Sequence, residues 1–233
     1  VVVGRIDVGG AELHLLPGKA AWWPAERTLL VADAHIGKAV SFRRLGVPVP
    51  EATTHGNLDA LDALLAAHDA QRIVFLGDLL HSRHAHDAAT LAAFAAWREQ
   101  RAELKLVLVR GNHDDRAGDP PPSWGVHCVD EPFALPAAPS LALCHHPHER
   151  RGAYVLAGHL HPCAVIGRGI DRLRLPCFHF GAGVGVLPAF GAFTGMHPIE
   201  RADGDRVFVV ADNAVHEVHE PRPAVRRGSH RSA

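Results

Sequence analysis

Five short apolar runs in this chain each end in side chains able to bind a metal ion. Thr28–Ala32 (TLLVA) runs into Asp33-Ala34-His35, and Ile73–Leu76 (IVFL) runs into Gly77-Asp78. Leu104–Val109 (LKLVLV) leads to Gly111-Asn112-His113-Asp114, Ser140–Cys144 (SLALC) to His145-His146, and Tyr154–Ala157 (YVLA) to Gly158-His159-Leu160-His161. Ligand sites in open α/β sheets lie beyond the carboxyl ends of the strands. A chain with this pattern is therefore expected to bring those five ends together.

Each piece alone says little. With 19 histidines among 233 residues, chance supplies about 1.5 His-x-His pairs, and the chain has three: His84/His86, His146/His148 and His159/His161. The ordered set is another matter, because chance does not readily place D-x-H, GD, GNHD, H and GH-x-H in succession, each after an apolar strand. On extended backbone, D-x-H and H-x-H put both side chains on one face. Mixed imidazole and carboxylate donors suit Mn²⁺, Fe or Zn²⁺ better than Ca²⁺. Two such ions about 3.5–4 Å apart clamp a phosphoryl group and activate a water. Asp78 suits the bridging position, and Asn112 offers a neutral carbonyl that does not repel an anion.

The rest of the chain supports an α/β fold of two packed sheets. Leu58, Leu61, Leu65 and His68 predict a helix over residues 52–69, and Asp87 is placed to cap another through Arg101, with Leu91 and Phe94 inward. Short strands dominate after residue 122. Apolar residues make up 47% and charged residues 21%, which excludes a disordered chain. No apolar stretch reaches membrane-spanning length. Val1–Gly10 lacks a secretory pattern, so a cytoplasmic protein is expected. Residues 1–218 read as one domain. Residues 219–233, with Arg222, Arg226, Arg227 and Arg231, read as a mobile basic tail. A net charge of −1 excludes a wholesale nucleic-acid coat but not a local Arg-lined groove. No two of Cys128, Cys144, Cys163 and Cys177 form a C-x-x-C pair, so four reduced, mostly buried thiols are expected.

The order of motifs over residues 27–200 resembles the calcineurin-like metallophosphoesterase superfamily. The resemblance implies a four-layer αββα sandwich of two mixed β-sheets flanked by helices. It implies that Asp33, His35, Asp78 and His161 hold one metal ion, and that Asp78, Asn112, His145 and His159 hold a second. His145 is preferred to His146 because it sits at the strand end. His113 becomes the non-ligand histidine that assists the leaving oxygen. Asp33-Ala-His-Ile-Gly-Lys38, Ser41–Pro48, Leu175–Phe178 and Val186–Gly195 further resemble the bacterial ligase-associated DNA damage response phosphoesterases, with Met196 standing where that pattern has a second Gly. That likeness implies a Mn²⁺-dependent phosphodiesterase or endonuclease acting on DNA by in-line attack of a hydroxide held between two ions. It also implies functional association with a DNA ligase, a helicase and an exonuclease.

Other residues carry weaker signals. Arg43, Arg44 and Arg83 are candidates for phosphate contact, against ordinary surface arginines. Lys38 reads as a surface or groove residue, since Gly37-Lys38 lacks the glycines of a phosphate loop. Gly181-x-Gly183-x-Gly185 reads as a turn. Three other readings stand beside the nuclease: a nucleotide or phosphoprotein phosphatase of the same superfamily, a catalytically silent metal-binding scaffold of a repair complex, and a histidine-rich metal store.

Overall fold

The computed structural model describes residues 3–44, 46, 53–167, 171–192 and 194–219, without the side chains of residues 41, 44, 53, 83 and 84. The basic tail beyond residue 219 lies outside the described residues.

The first sheet has seven strands in chain order: β1 (Gly4–Val8), β2 (Ala11–Leu15), β3 (Ala20–Trp23), β4 (Thr28–Val31), β5 (Arg72–Leu76), β6 (Lys105–Val109) and β7 (Val126–Val129). β1 to β4 pair antiparallel and β4 to β7 pair parallel. The parallel crossovers carry α1 (Lys38–Arg44), α2 (Thr53–Ala67), α3 (Ala88–Glu99) and α4 (Asn112–Ala117). Asp87 caps α3 as expected, its carboxylate accepting from the Ala89 and Thr90 amides at 3.1 and 3.2 Å, a cap worth about 1 kcal/mol.

The second sheet has eight strands: β8 (Leu141–Leu143), β9 (Tyr154–Ala157), β10 (Pro162–Ile166), β11 (Leu173–Phe180), β12 (Val184–Val186), β13 (His197–Pro198), β14 (Arg206–Ala211) and β15 (Ala214–Val218). β8, β9 and β12 run parallel, while β11 pairs antiparallel with β10, β12 and β14. Gly181 and Gly183 turn the chain from β11 into β12, as expected, with the Gly181 amide donating to the Val184 carbonyl at 2.8 Å, whereas Gly185, expected in the same turn, lies within β12.

Strand alternation divides the apolar residues between two cores. Leu30, Val74, Leu76, Val107 and Val109 face the second sheet, where they meet Leu143, Leu156, Phe178 and Phe208. Their sequence neighbours Leu29, Val31, Ile73, Phe75, Leu106 and Leu108 face α2 and α3, meeting Leu58, Leu61, Phe94 and Trp97. Burial on both faces explains why β4, β5 and β6 read as unbroken apolar runs, and each fully buried Leu or Phe contributes about 1.5–3 kcal/mol. The two mixed sheets are those expected. The helical cover lies on the first sheet, and among the described residues no α-helix follows Ala117. The other face of the second sheet carries only small clusters, Ala142/Cys144/Val155/Ala157 and Cys177/Val207/Val209.

Candidate metal centre

The carboxyl ends of β4, β5 and β6 in one sheet and β8 and β9 in the other converge, and all seven expected ligands meet there. His35 Nε2 lies 3.4 Å from His161 Nε2, and His161 Nε2 lies 3.5 Å from Asp33 Oδ1. In a second group, His145 Nε2 lies 3.0 Å from Asn112 Oδ1, 3.0 Å from His159 Nδ1 and 3.5 Å from Asp78 Oδ1. Asp33, Asp78 and His145 join the groups, with ligand atoms within 4.8 Å of one another.

These spacings fit metal ions. Two donors each about 2.1 Å from one ion are about 3.0 Å apart at a right angle and about 3.4 Å apart at a tetrahedral angle. Asp33 Oδ1 is buried without a hydrogen-bond partner, which costs about 1–3 kcal/mol or more unless a cation answers it.

Backbone groups aim the ligands. The His159 amide donates to Asp33 Oδ2 at 2.9 Å, and the His113 amide donates to Asp78 Oδ1 at 3.0 Å. His145 Nδ1 donates to the Leu76 carbonyl and His161 Nδ1 to the Gly195 carbonyl, each at 3.1 Å. Both rings therefore turn Nε2 to the site. His145 and His146 differ in burial. His145 is fully buried in the cluster, whereas His146 Nδ1 pairs with Glu131 Oε1 at 3.1 Å. The His146 ring still lies within 4.8 Å, atom to atom, of the His145 and His159 ligand atoms.

The local backbone differs from the sequence expectation. Asp33, His35, Asp78, His159 and His161 are not extended; all have left-handed φ, between 46° and 70°. Each such non-glycine residue costs about 1–3 kcal/mol and persists where the surroundings fix it. The left-handed turn, rather than a period-two strand, turns each side chain inward. Gly77 also has positive φ, and a Cβ there would lie 2.0 Å from His145 Nδ1. A Cβ on Gly111 would lie 2.4 Å from Asp78 Oδ1. The glycines of GD and GNH are there because ligands pack on their Cα atoms.

Burial sets the charge states. It raises the Asp78 carboxyl, opposed by His145 and reinforced by Asp33. It lowers His35 and His159, and brings His81 down to about 4. His35 and His81 are thus neutral at physiological pH. His113 Nδ1 donates to the His81 carbonyl at 2.7 Å, which leaves Nε2 facing the cluster, 3.9 Å from Asp78 Oδ2.

Lys38 narrows the sequence reading. It is buried, with 9% relative exposure, which removes the surface alternative and leaves the groove one. Burial lowers its ammonium, and Asp33 and Asp78 oppose that shift. Arg43 is exposed on α1, while the Arg44 and Arg83 side chains lie outside the described residues.

Three supporting residues went unread. Asp114 accepts from the Gly111 amide at 3.0 Å and the Leu80 amide at 3.1 Å, tying the Asn112 loop to the Asp78 loop. Burial pushes its carboxyl up to about 7 against those two amides. Its signal was available, as the acidic third residue of α4. Asn57 donates to the Ala34 carbonyl and accepts from the Ala192 amide, both at 3.1 Å. Glu131 Oε2 accepts from the His145 and His146 amides at 2.8 and 2.9 Å. Neither Asn57 nor Glu131 has a local sequence signal.

Two mixed sheets with a histidine–carboxylate cluster at their shared strand ends define a metallophosphoesterase. The family model for calcineurin-like phosphoesterases matches residues 26–139. The crystal structure of Pseudomonas putida nuclease MPE is similar at 44% identity and TM-score 0.82, covering 93% of this chain and 100% of that one. Yfce, a phosphoesterase from E. coli, aligns at 15% identity and TM-score 0.40 over 82% of this chain and 97% of its own. A Vps29 variant from Entamoeba histolytica aligns at 13% identity and TM-score 0.33 over 82% and 96%. No curated protein matches the chain. The chain belongs to the calcineurin-like phosphoesterase family and is a metal-dependent phosphoesterase.

Proposed function

We propose that the protein is a Mn²⁺-dependent phosphodiesterase, an endonuclease that cuts single-stranded or frayed DNA in bacterial DNA repair. It works in the cytoplasm beside a DNA ligase, a helicase and an exonuclease. The observation that carries the reading is the buried carboxylate pair Asp33 and Asp78, whose ligand atoms lie within 4.8 Å of each other and of His145, with Asp33 also belonging to the group of His35 and His161. Asp33, His35, Asp78 and His161 would hold one ion, and Asp78, Asn112, His145 and His159 the other. Two divalent ions there supply charge to the phosphoryl oxygens and a more acidic water for in-line attack. Imidazole and carboxylate donors together suit Mn²⁺, with Fe or Zn²⁺ as alternatives.

The chain's own residues do the rest. The Leu76 and Gly195 carbonyls fix two imidazoles, and backbone amides hold both aspartates, so little reorganises when substrate arrives. Asn112 adds a ligand without adding repulsion. His113, its ring anchored through Nδ1, turns Nε2 to the cluster, from where it would assist the departing oxygen. Support for DNA as substrate comes from the full-length likeness to a nuclease at 44% identity and from the sequence stretches outside the ligand set.

The test is a metal-depleted preparation assayed with Mn²⁺ on a chromogenic phosphodiester and on single-stranded DNA, beside Asp78→Ala. Cleavage of both, lost in the variant, supports the reading. Hydrolysis of the small ester without action on DNA moves the substrate to a small molecule or a protein. Full activity in Asp78→Ala overturns the site.

A further inference from the structure

Lys38 is a buried cation beside the metal-binding cluster. It starts α1, three residues after His35, and its amide donates to the His35 carbonyl at 3.1 Å. Gly37, left-handed at φ 77°, packs so closely on Ala85 that a Cβ would lie 2.6 Å from its methyl, which fixes where the helix starts. The ammonium stands 5.9 Å from the centre of the Phe42 ring. Phe42 stacks on His81 at 6.4 Å, and His81 stacks on His113 at 5.1 Å. These rings run from beside the lysine to the proposed proton donor. Asp33 and Asp78 both act electrostatically on the ammonium. No carboxylate among the described residues comes within 4.0 Å of it.

An ammonium on a mostly buried side chain, with no carboxylate within 4.0 Å among the described residues, is favoured by an anion that comes within reach. With divalent ions bound, Asp33 and Asp78 would be engaged as their ligands and would answer the ammonium less. What completes the site is an anion arriving from outside, at the edge where His113 also points. We infer that Lys38 is a catalytic residue whose ammonium binds a non-bridging oxygen of the scissile phosphate, on the side of the centre walled by Phe42 and His81. This assignment rests on the phosphodiesterase reading and adds a protein cation to the charge that the metal site supplies. The contact is a charge-assisted hydrogen bond. It tightens as negative charge moves onto those oxygens during in-line displacement.

Lys38→Met keeps the stem and removes the charge. With bound Mn²⁺ and melting temperature unchanged, it should bind inorganic phosphate at least tenfold more weakly than the Mn²⁺-loaded wild type in titration calorimetry. Its kcat/KM should fall at least thirtyfold on both a chromogenic phosphodiester and single-stranded DNA, with most of the fall in kcat. If Lys38→Met melts early or loses Mn²⁺, Lys38→Gln is read instead, and loss of Mn²⁺ from both variants overturns the assignment by making the lysine structural. Unchanged phosphate affinity and kcat/KM overturn it, as does a loss confined to DNA, which would place Lys38 on a distant backbone phosphate. Wild type inactive on every phosphodiester with any divalent ion defeats the functional reading instead, and the phosphate titration still decides the lysine.

Discussion

The His159 amide donates to Asp33 Oδ2 at 2.9 Å, joining one sheet to the other across 126 positions of sequence. The other oxygen of that carboxylate, Oδ1, is buried and faces His161 Nε2 at 3.5 Å. One side chain therefore links the two sheets and presents a carboxylate oxygen to the metal-binding cluster. Asp33→Ala should lower the stability of the metal-free protein by about 1–3 kcal/mol, the cost of an unanswered buried amide, and should reduce Mn²⁺ content. Asp33→Asn keeps an acceptor for His159, so it should regain most of the stability and little of the metal. Urea unfolding and elemental analysis on the two variants separate the roles.

Gly77 is intolerant of any side chain. Its φ of 76° and the 2.0 Å approach of His145 Nδ1 to an added Cβ act together. Gly77→Ala should cost about 2–5 kcal/mol, from left-handed strain and overpacking combined, and should displace His145. A variant that melts like wild type and binds full metal would contradict this geometry.

His113 touches no ligand position through Nε2 at bonding distance, its nearest carboxylate oxygen being 3.9 Å away. His113→Ala should keep bound Mn²⁺ and lose about 10²–10⁴ in kcat, most strongly for esters with poor leaving groups. Loss of metal in that variant would make His113 a ligand.

Glu131 holds the His145–His146 segment by two amides and an imidazole. Burial raises its carboxyl, but the His146 and His145 amides and the His146 side chain outweigh burial and leave it below its usual 4.5. A carboxyl lowered on folding stabilises the native state above its unfolded value, and that stability is lost as pH falls through the folded value. The metal-free protein should lose stability on acidification below about pH 4.5. Glu131→Gln should be less stable at pH 7 and show a flatter dependence in that acid range. Equal slopes for the two proteins would remove Glu131 from the acid transition.

Burial raises all four thiols, Cys128 to about 11 and Cys177 to about 12. At pH 8 the native protein should react slowly with iodoacetamide, and guanidinium should release all four cysteines to the ordinary rate. Rapid native labelling counted by mass spectrometry would contradict the burial of Cys144, Cys163 and Cys177.

Much of the first sheet was legible, because β4, β5 and β6 are buried on both faces and read as unbroken apolar runs. The opening strands β1, β2 and β3 were passed over, although Ile6/Val8 and Leu13/Leu15 alternate on either side of Gly9-Gly10, a hairpin signal. α1 and α4 are seven and six residues long, too short for an apolar period to show. The seven clustered side chains were legible through their order after strands, but extended backbone does not account for their shared face, because five of them have left-handed φ. Left-handed φ at aspartate and histidine leaves no compositional trace, because the surrounding fold imposes it.

The sequence by itself determined which donor atoms stand at the end of which strand, and hence a site for divalent ions and a phosphoryl group. Residue type and order are local properties, written in the chain and read without coordinates. Only the tertiary structure decided that His145 rather than His146 is fully buried in the cluster, that Lys38 is buried, and that Glu131, Asn57 and Asp114 hold the loops in place. Those outcomes depend on two sheets packing face to face, and contacts such as Asp33 with His159 join residues far apart in the chain. No local periodicity encodes such a contact, because its partners become neighbours only when the inter-sheet core closes.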